Sequence, residues 1–395
     1  MVSTGKYVSS FECYNSYIQG EQKMDNYSTE NKFKLGFGLM RLPKLEDGSI
    51  DVKQTAEMAD LFLKAGGTYF DTAFAYPGSE EAIRKALIER HPRESFTLAT
   101  KLMCNAEIDS EEKAKSEFET SLERTKAGYF DYYLLHAIQR SNYKKYDEYH
   151  IWDYVKELKA KGLIRHYGFS FHADPELLEE LLEKHPDVEF VQLQINYADW
   201  ENPGVISKLN LEICKKHGKP VVVMEPVKGG ILADPIDTVK EIFDKENNGL
   251  SYASWALRFV ASQDNILAVL SGMSSLEQMK DNLSFMADMK KMDEHEYEVI
   301  HKAQAAIDAD QSIACTKCRY CTKGCPMNIP IPDIFNVENR KKGQPEFRSR
   351  REYAIVTLNK GKASDCIACG QCEGACPQHL PIISLLEQCR VFEDQ

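Results

Sequence analysis

Two runs of cysteine with identical spacing close the chain. Cys315, Cys318, Cys321 and Cys325 precede Pro326, and Cys366, Cys369, Cys372 and Cys376 precede Pro377. Each run reads C-x-x-C-x-x-C-x-x-x-C-P. Thiols packed this closely must either pair with one another or converge on an inorganic centre. Disulfides belong to exported proteins, and the polar, Ser/Tyr/Asn-rich first thirty residues contain no apolar stretch of the kind that directs export. The expected location is therefore cytoplasmic and the expected role of the thiols is ligation. Structural zinc would need four ligands around one ion. Here three close thiols and one outlier occur twice, which instead suits two 4Fe–4S clusters. Three thiolates on a tight loop reach three irons of a cubane, and the fourth points away. In this pattern the fourth Cys ligates the other cluster. The expected sets are Cys315, Cys318, Cys321 with Cys376, and Cys366, Cys369, Cys372 with Cys325. Small residues between ligands (Gly324, Ala368, Gly370, Gly374) keep the loops narrow and expose their N–H groups. Cys13, Cys104, Cys214 and Cys389 are scattered and read as incidental or buried thiols.

The stretch between the runs has helical character, with Pro330-Ile331-Pro332-Asp333 ahead of Ile334-Phe335 as a helix start. Residues 313–395 resemble the α-helical two-cluster ferredoxin-type modules found fused to oxidoreductases. The resemblance implies either an electron port, with a ferredoxin or flavodoxin as redox partner, or clusters that only fold the tail.

The remaining chain is long enough for a large domain, with 43% hydrophobic residues over 395 positions. A net charge of −12 argues against nucleic-acid binding, which needs clustered cations. No apolar run approaches the roughly 20 residues that span a bilayer. Residues 1–31 read as a disordered extension. From residue 32 to about 290, strand-like runs alternate strictly with amphipathic helical stretches, eight of each, the pattern of a (β/α)8 TIM barrel. A doubly wound sheet is the rival, but no Gly-x-Gly-x-x-Gly turn follows the first strand. Residues 291–312 read as a helical linker. The expected architecture is thus α/β: a barrel followed by a small, mainly α-helical ferredoxin-like domain.

A TIM barrel carries its chemistry at the C-terminal ends of its strands. There the second strand brings Asp71, with Tyr76 just beyond it, the third brings Lys101 and the fourth His136. A strand-end Asp, Lys or His is singly more often a cap or a solvated group, but the coincidence on three successive strands is pointed. The segments Phe70-Asp71-Thr72-Ala73-Phe74-Ala75-Tyr76, Leu98-Ala99-Thr100-Lys101 and Asp131-Tyr132-Tyr133-Leu134-Leu135-His136 resemble the tetrad motifs of the aldo/keto reductase superfamily. The resemblance implies an oxidoreductase acting on a small carbonyl or alcohol substrate. Tyr76 would be the general acid and Lys101 the charge that favours its phenolate. Asp71 would hold Lys101, and His136 would orient the carbonyl oxygen. It also implies a nicotinamide, NAD(H) or NADP(H), near Ser170, near Gln194 (or Gln192 one alternation away) and near Met224. The family's cations for a 2′-phosphate fall at Gly272 and Gln278, which carry no charge, so a preference for NADPH does not transfer. No flavin motif is visible, although a flavin would ordinarily bridge one-electron clusters and hydride transfer. The alternative is an electron carrier or redox-responsive protein whose barrel has lapsed from catalysis.

Overall fold

The computed structural model describes residues 28–30, 32–105, 107–201, 205–310, 313–341 and 346–393. Most of the expected N-terminal extension lies outside them. Eight parallel strands close into a barrel in sequence order: β1 Leu35–Gly38, β2 Tyr69–Asp71, β3 Thr97–Met103, β4 Phe130–Ile138, β5 Ile164–Phe171, β6 Phe190–Gln194, β7 Val221–Met224 and β8 Ile266–Ser271. Leu35 beside Val269 seals β1 to β8.

Both faces of each strand are buried, the inner by barrel packing and the outer by helices, as parallel sheets require. The inner layer includes Tyr69, Tyr132, Leu134, Phe190, Val222 and Leu270, with the Tyr69 and Tyr132 rings 4.8 Å apart. One glycine is forced by this packing. A Cβ on Gly168 would lie 2.3 Å from the carbonyl oxygen of Phe190 on the neighbouring strand.

Within the segment expected as a linker, helix Glu294–Ala309 starts with a full capping box between Asp293 and Glu296. It buries Val299, Ile300 and Ala303 in the barrel's outer core, while Glu296 holds Arg258 with two bonds of 2.6 and 2.9 Å. Beyond it, helices Ile331–Arg340, Glu346–Val356 and Ile382–Cys389 surround a second core that includes Ile329, Phe335, Leu386 and several of the thiols. This domain sits on the C-terminal mouth of the barrel, where its residues share a cavity with β-strand ends. No helix among the described residues is long and apolar enough to cross a membrane.

Candidate active site

The registers bring the strand ends together. Asp71 pairs with Ala99 across β2 and β3, and Met103 with His136 across β3 and β4. Lys101 has no exposed surface. Its ammonium donates to Asp71 Oδ1 at 2.5 Å and to the Thr72 carbonyl at 2.7 Å. Burial lowers the Lys101 pKa and raises that of Asp71, while their mutual attraction opposes both shifts. The loop carrying Tyr76 is pinned at either end: the Thr72 and Ser79 hydroxyls share a 2.7 Å bond, and Ser79 donates to the Leu39 carbonyl at 3.0 Å.

Tyr76 is thereby placed with its ring centre 5.0 Å from the Lys101 ammonium and 5.7 Å from the His136 ring, edge to face. Burial pushes its phenol well above the usual range, with Tyr320, Asp71 and Glu225 adding to the rise and Arg41 opposing it. The sequence led us to expect a phenol drawn toward phenolate by Lys101. In the folded chain desolvation dominates and Arg41 is the cation that opposes it, so the group rests protonated. His136 is pushed the other way, well below its ordinary value, by burial and by Lys101 and His172. It is a neutral imidazole near pH 7, and its Nδ1 has no protein partner.

A cavity of about 520 Å³ opens beside this group, lined by Asp71, Tyr76 and His136 at one end and by Ser274, Glu277, Gln278 and Asp281 at the other. Gln192, Gln194, Met224 and Gly272, expected near a nicotinamide, also line it. Ser170 is spent otherwise: its hydroxyl accepts from the Ala137 amide at 2.7 Å, where Ala137 has φ +54°. Gln194 is engaged by the appended domain, exchanging bonds of 3.2 and 3.1 Å with the Gln378 carboxamide and donating to Asp199 at 2.9 Å. Arg41 is the one Lys or Arg among the described lining residues. It bonds the Gly229 and Thr316 carbonyls at 2.8 and 3.3 Å and faces Glu225 at 3.8 Å. The far end therefore offers carboxylates, which suit ribose hydroxyls and repel a 2′-phosphate.

Nothing in the sequence signalled that residues from the cysteine runs would also wall this cavity, because they come from distant parts of the chain. Thr316, Cys318, Tyr320, Pro377 and Gln378 wall the same cavity as Tyr76. Among the described residues the Tyr320 and Tyr76 hydroxyls have no protein hydrogen-bond partner. No sequence signal marked Tyr320, because Thr316, Lys317, Arg319, Thr322 and Lys323 stand between the same ligands and its bulk is not exceptional among them. Glu225, immediately after β7, has φ +56° and an unpartnered buried oxygen.

The thiols separate into two sets. Cys315, Cys318, Cys321 and Cys376 ring one small cavity, with Ile331, Pro332, Phe335 and Ile382 as apolar walls. Cys325, Cys366, Cys369 and Cys372 ring another. Four soft donors around an apolar void, twice, fit a 4Fe–4S cluster in each. Cys376 thus lines a cavity with the first run's three close thiols, and Cys325 one with the second run's.

Comparison with known proteins follows the same division. The aldo/keto reductase family matches residues 34–305, and the 4Fe-4S dicluster domain matches residues 314–380. Among curated proteins, the uncharacterized oxidoreductase YqkF of Bacillus subtilis is 26% identical over 313 residues, covering 71% of this chain and 95% of the relative. A glyoxal reductase of the same organism is 27% identical over 208 residues, covering 53% and 69%. Among solved structures, the holo form of an aldo-keto reductase from Bacillus halodurans aligns with TM-score 0.55 and 26% identity, covering 68% of this chain and 91% of that one. An aldo-keto reductase from Klebsiella pneumoniae in complex with NADPH has TM-score 0.54 and 21% identity, covering 69% and 91%, a likeness of fold alone.

Proposed function

Because this chain belongs to the aldo/keto reductase family and carries a 4Fe-4S dicluster domain after its barrel, we propose that it is an oxidoreductase interconverting a small carbonyl compound and its alcohol at the barrel mouth. One observation carries this reading: the unpaired Tyr76 hydroxyl and the neutral His136 line one cavity directly above the buried Lys101–Asp71 pair. In the reductive direction Tyr76 donates its proton to the carbonyl oxygen. The nearby Lys101 charge stabilises the phenolate this leaves. His136, neutral, hydrogen-bonds the same oxygen and fixes its direction. Asp71 holds Lys101 in place and keeps its charge compensated where Lys101 has no exposed surface.

When bound, a nicotinamide supplies hydride and the two clusters supply single electrons. Met224, Gly272, Gln192 and Gln278 would border the nicotinamide nucleotide, and the eight thiols would hold the clusters in the two sets described. The glyoxal reductase among the relatives makes small dicarbonyls a sensible first substrate class. The test is turnover of glyoxal and simple aldehydes by the anaerobic, iron-loaded chain with NADH and NADPH. Tyr76→Phe is expected to lower kcat/KM by about 10²–10⁴-fold. Undiminished turnover would remove Tyr76 from the role.

A second reading, an electron carrier with a catalytically lapsed barrel, is favoured by the pairing of Gln194 with Gln378. Fluorescence titration with both nicotinamides separates the two, since tight binding of either counts against it.

A further inference from the structure

The side of the appended domain that carries helix Glu346–Val356 has the reverse of ordinary amphipathicity. That helix and the turn after it bury Ser349, Tyr353 and Thr357, whereas Phe347, Ile355 and Leu358 stand 67, 62 and 68% exposed. Positions 347, 351, 355 and 358 share one helical face. Two of the inward polar groups are hydrogen-bonded: the Tyr353 hydroxyl donates to Glu393 at 2.5 Å and accepts from the Ala363 amide at 2.7 Å, and Thr357 donates to the Tyr353 carbonyl at 2.8 Å. The helix is therefore held in this orientation, and its apolar face is left for something else. Among the described residues, six of the ten exposed large hydrophobic ones fall between Met327 and Val391, a concentration that scattered surface residues do not produce.

The face runs on toward one thiol set. Gly361 donates to the Asn328 carbonyl at 3.2 Å. The neighbouring Met327, together with the exposed Ile367 and Cys369, lines the cavity ringed by Cys325, Cys366 and Cys372. The other thiol set faces the barrel through Cys318, so this one lies nearer the outer surface. The charge is distinctive too. Asn339 to Lys362 carries eight Lys and Arg against two Glu, in a chain of net charge −12. Arg351, Lys360 and Lys362 are exposed.

We propose that this face docks a small acidic electron-carrier protein. The proposal rests on the electron-exchange part of the function above, and names where and by what chemistry the partner is recognised. An apolar centre rimmed by cations suits a transient redox encounter, which buries less than about 1,200 Å². Two copies of this chain meeting through the same face would set like charges against each other.

The test measures binding to the full chain with its iron content verified. The probes are a purified acidic bacterial ferredoxin and, for comparison, the basic cytochrome c. Ferredoxin is expected to bind at low salt and cytochrome c not to. The affinity should fall about tenfold between roughly 50 and 200 mM salt. Ile355→Asp and Arg351→Glu should each weaken binding about tenfold with iron content unchanged, and Arg351→Glu should also flatten the salt dependence. Absence of ferredoxin binding, equal binding of cytochrome c, or unchanged affinity in both variants would overturn the proposal. So would a wild-type dimer in sedimentation that Ile355→Asp splits. The readout is binding, so its failure is separable from that of the Tyr76→Phe test, which reads turnover.

Discussion

Lys101 is a cation without exposed surface, and its charge survives only through Asp71 and the Thr72 carbonyl. Removing one partner of such a pair leaves the other buried and uncompensated. Lys101→Met should therefore destabilise the fold by about 3–5 kcal/mol in chemical denaturation, and adding Asp71→Asn should restore part of the loss. His172, at the same mouth, is held at about 4 by burial, with His379 of the appended domain adding to the shift. The unfolded imidazole titrates near 6.5, so between these values the unfolded chain binds more protons. Stability is then full above pH 6.5 and falls as the pH drops. The loss should be up to about 2 kcal/mol between pH 7 and 5, and His172→Gln should flatten that part of the pH profile. In the proposed nucleotide site, Glu277 and Asp281 at the cavity's far end are anionic, where a 2′-phosphate would need cations. Binding titrations should accordingly favour NADH over NADPH, by tenfold or more on the scale of about 1.4 kcal/mol.

At the scale of elements, the eight strands were legible because each is a short apolar run ended by a turn, and the barrel requires nothing more of them. Helices Tyr143–Glu148 and Asp237–Asp244 add to the eight expected ones. They are short excursions beyond the alternation, so periodicity gave no reason to place them. The loop after β7 was not legible in its purpose. Gly229 has φ +66°, and a Cβ there would lie 2.7 Å from the Thr316 carbonyl oxygen. The barrel and the first cysteine loop meet at that glycine. Gly229→Ala should push the loop away, and hydrogen exchange should report faster amides at Thr316 and Tyr320 while the amides of the barrel strands stay protected.

For the whole molecule, the appended domain is a wall of the cavity beside Tyr76. Gln378 occupies the Gln194 carboxamide, and Tyr320 adds a second phenol to the same space as Tyr76. Gln378→Ala should release Gln194 and tighten NADH binding about fivefold, the worth of roughly one hydrogen bond, with the iron count as control. An unchanged affinity would mean that Gln194 does not meet the nucleotide.

The amino-acid sequence alone determined what local pattern can encode. Cysteine spacing pointed to the two-cluster domain and to a crossing of fourth ligands that remains a proposal. Alternating periodicity named the barrel, and three strand ends named Asp71, Lys101 and His136, with Tyr76 beyond the first. These are short-range regularities, readable within a few turns of chain. Tertiary structure decided what depends on bringing remote segments together. It placed Gln378 against Gln194, 184 positions away, and Thr316 against Arg41, 275 away. It also decided the direction in which Tyr76 and His136 are shifted. Burial sets that direction, and burial is a property of everything packed around a group, which no segment of sequence carries by itself.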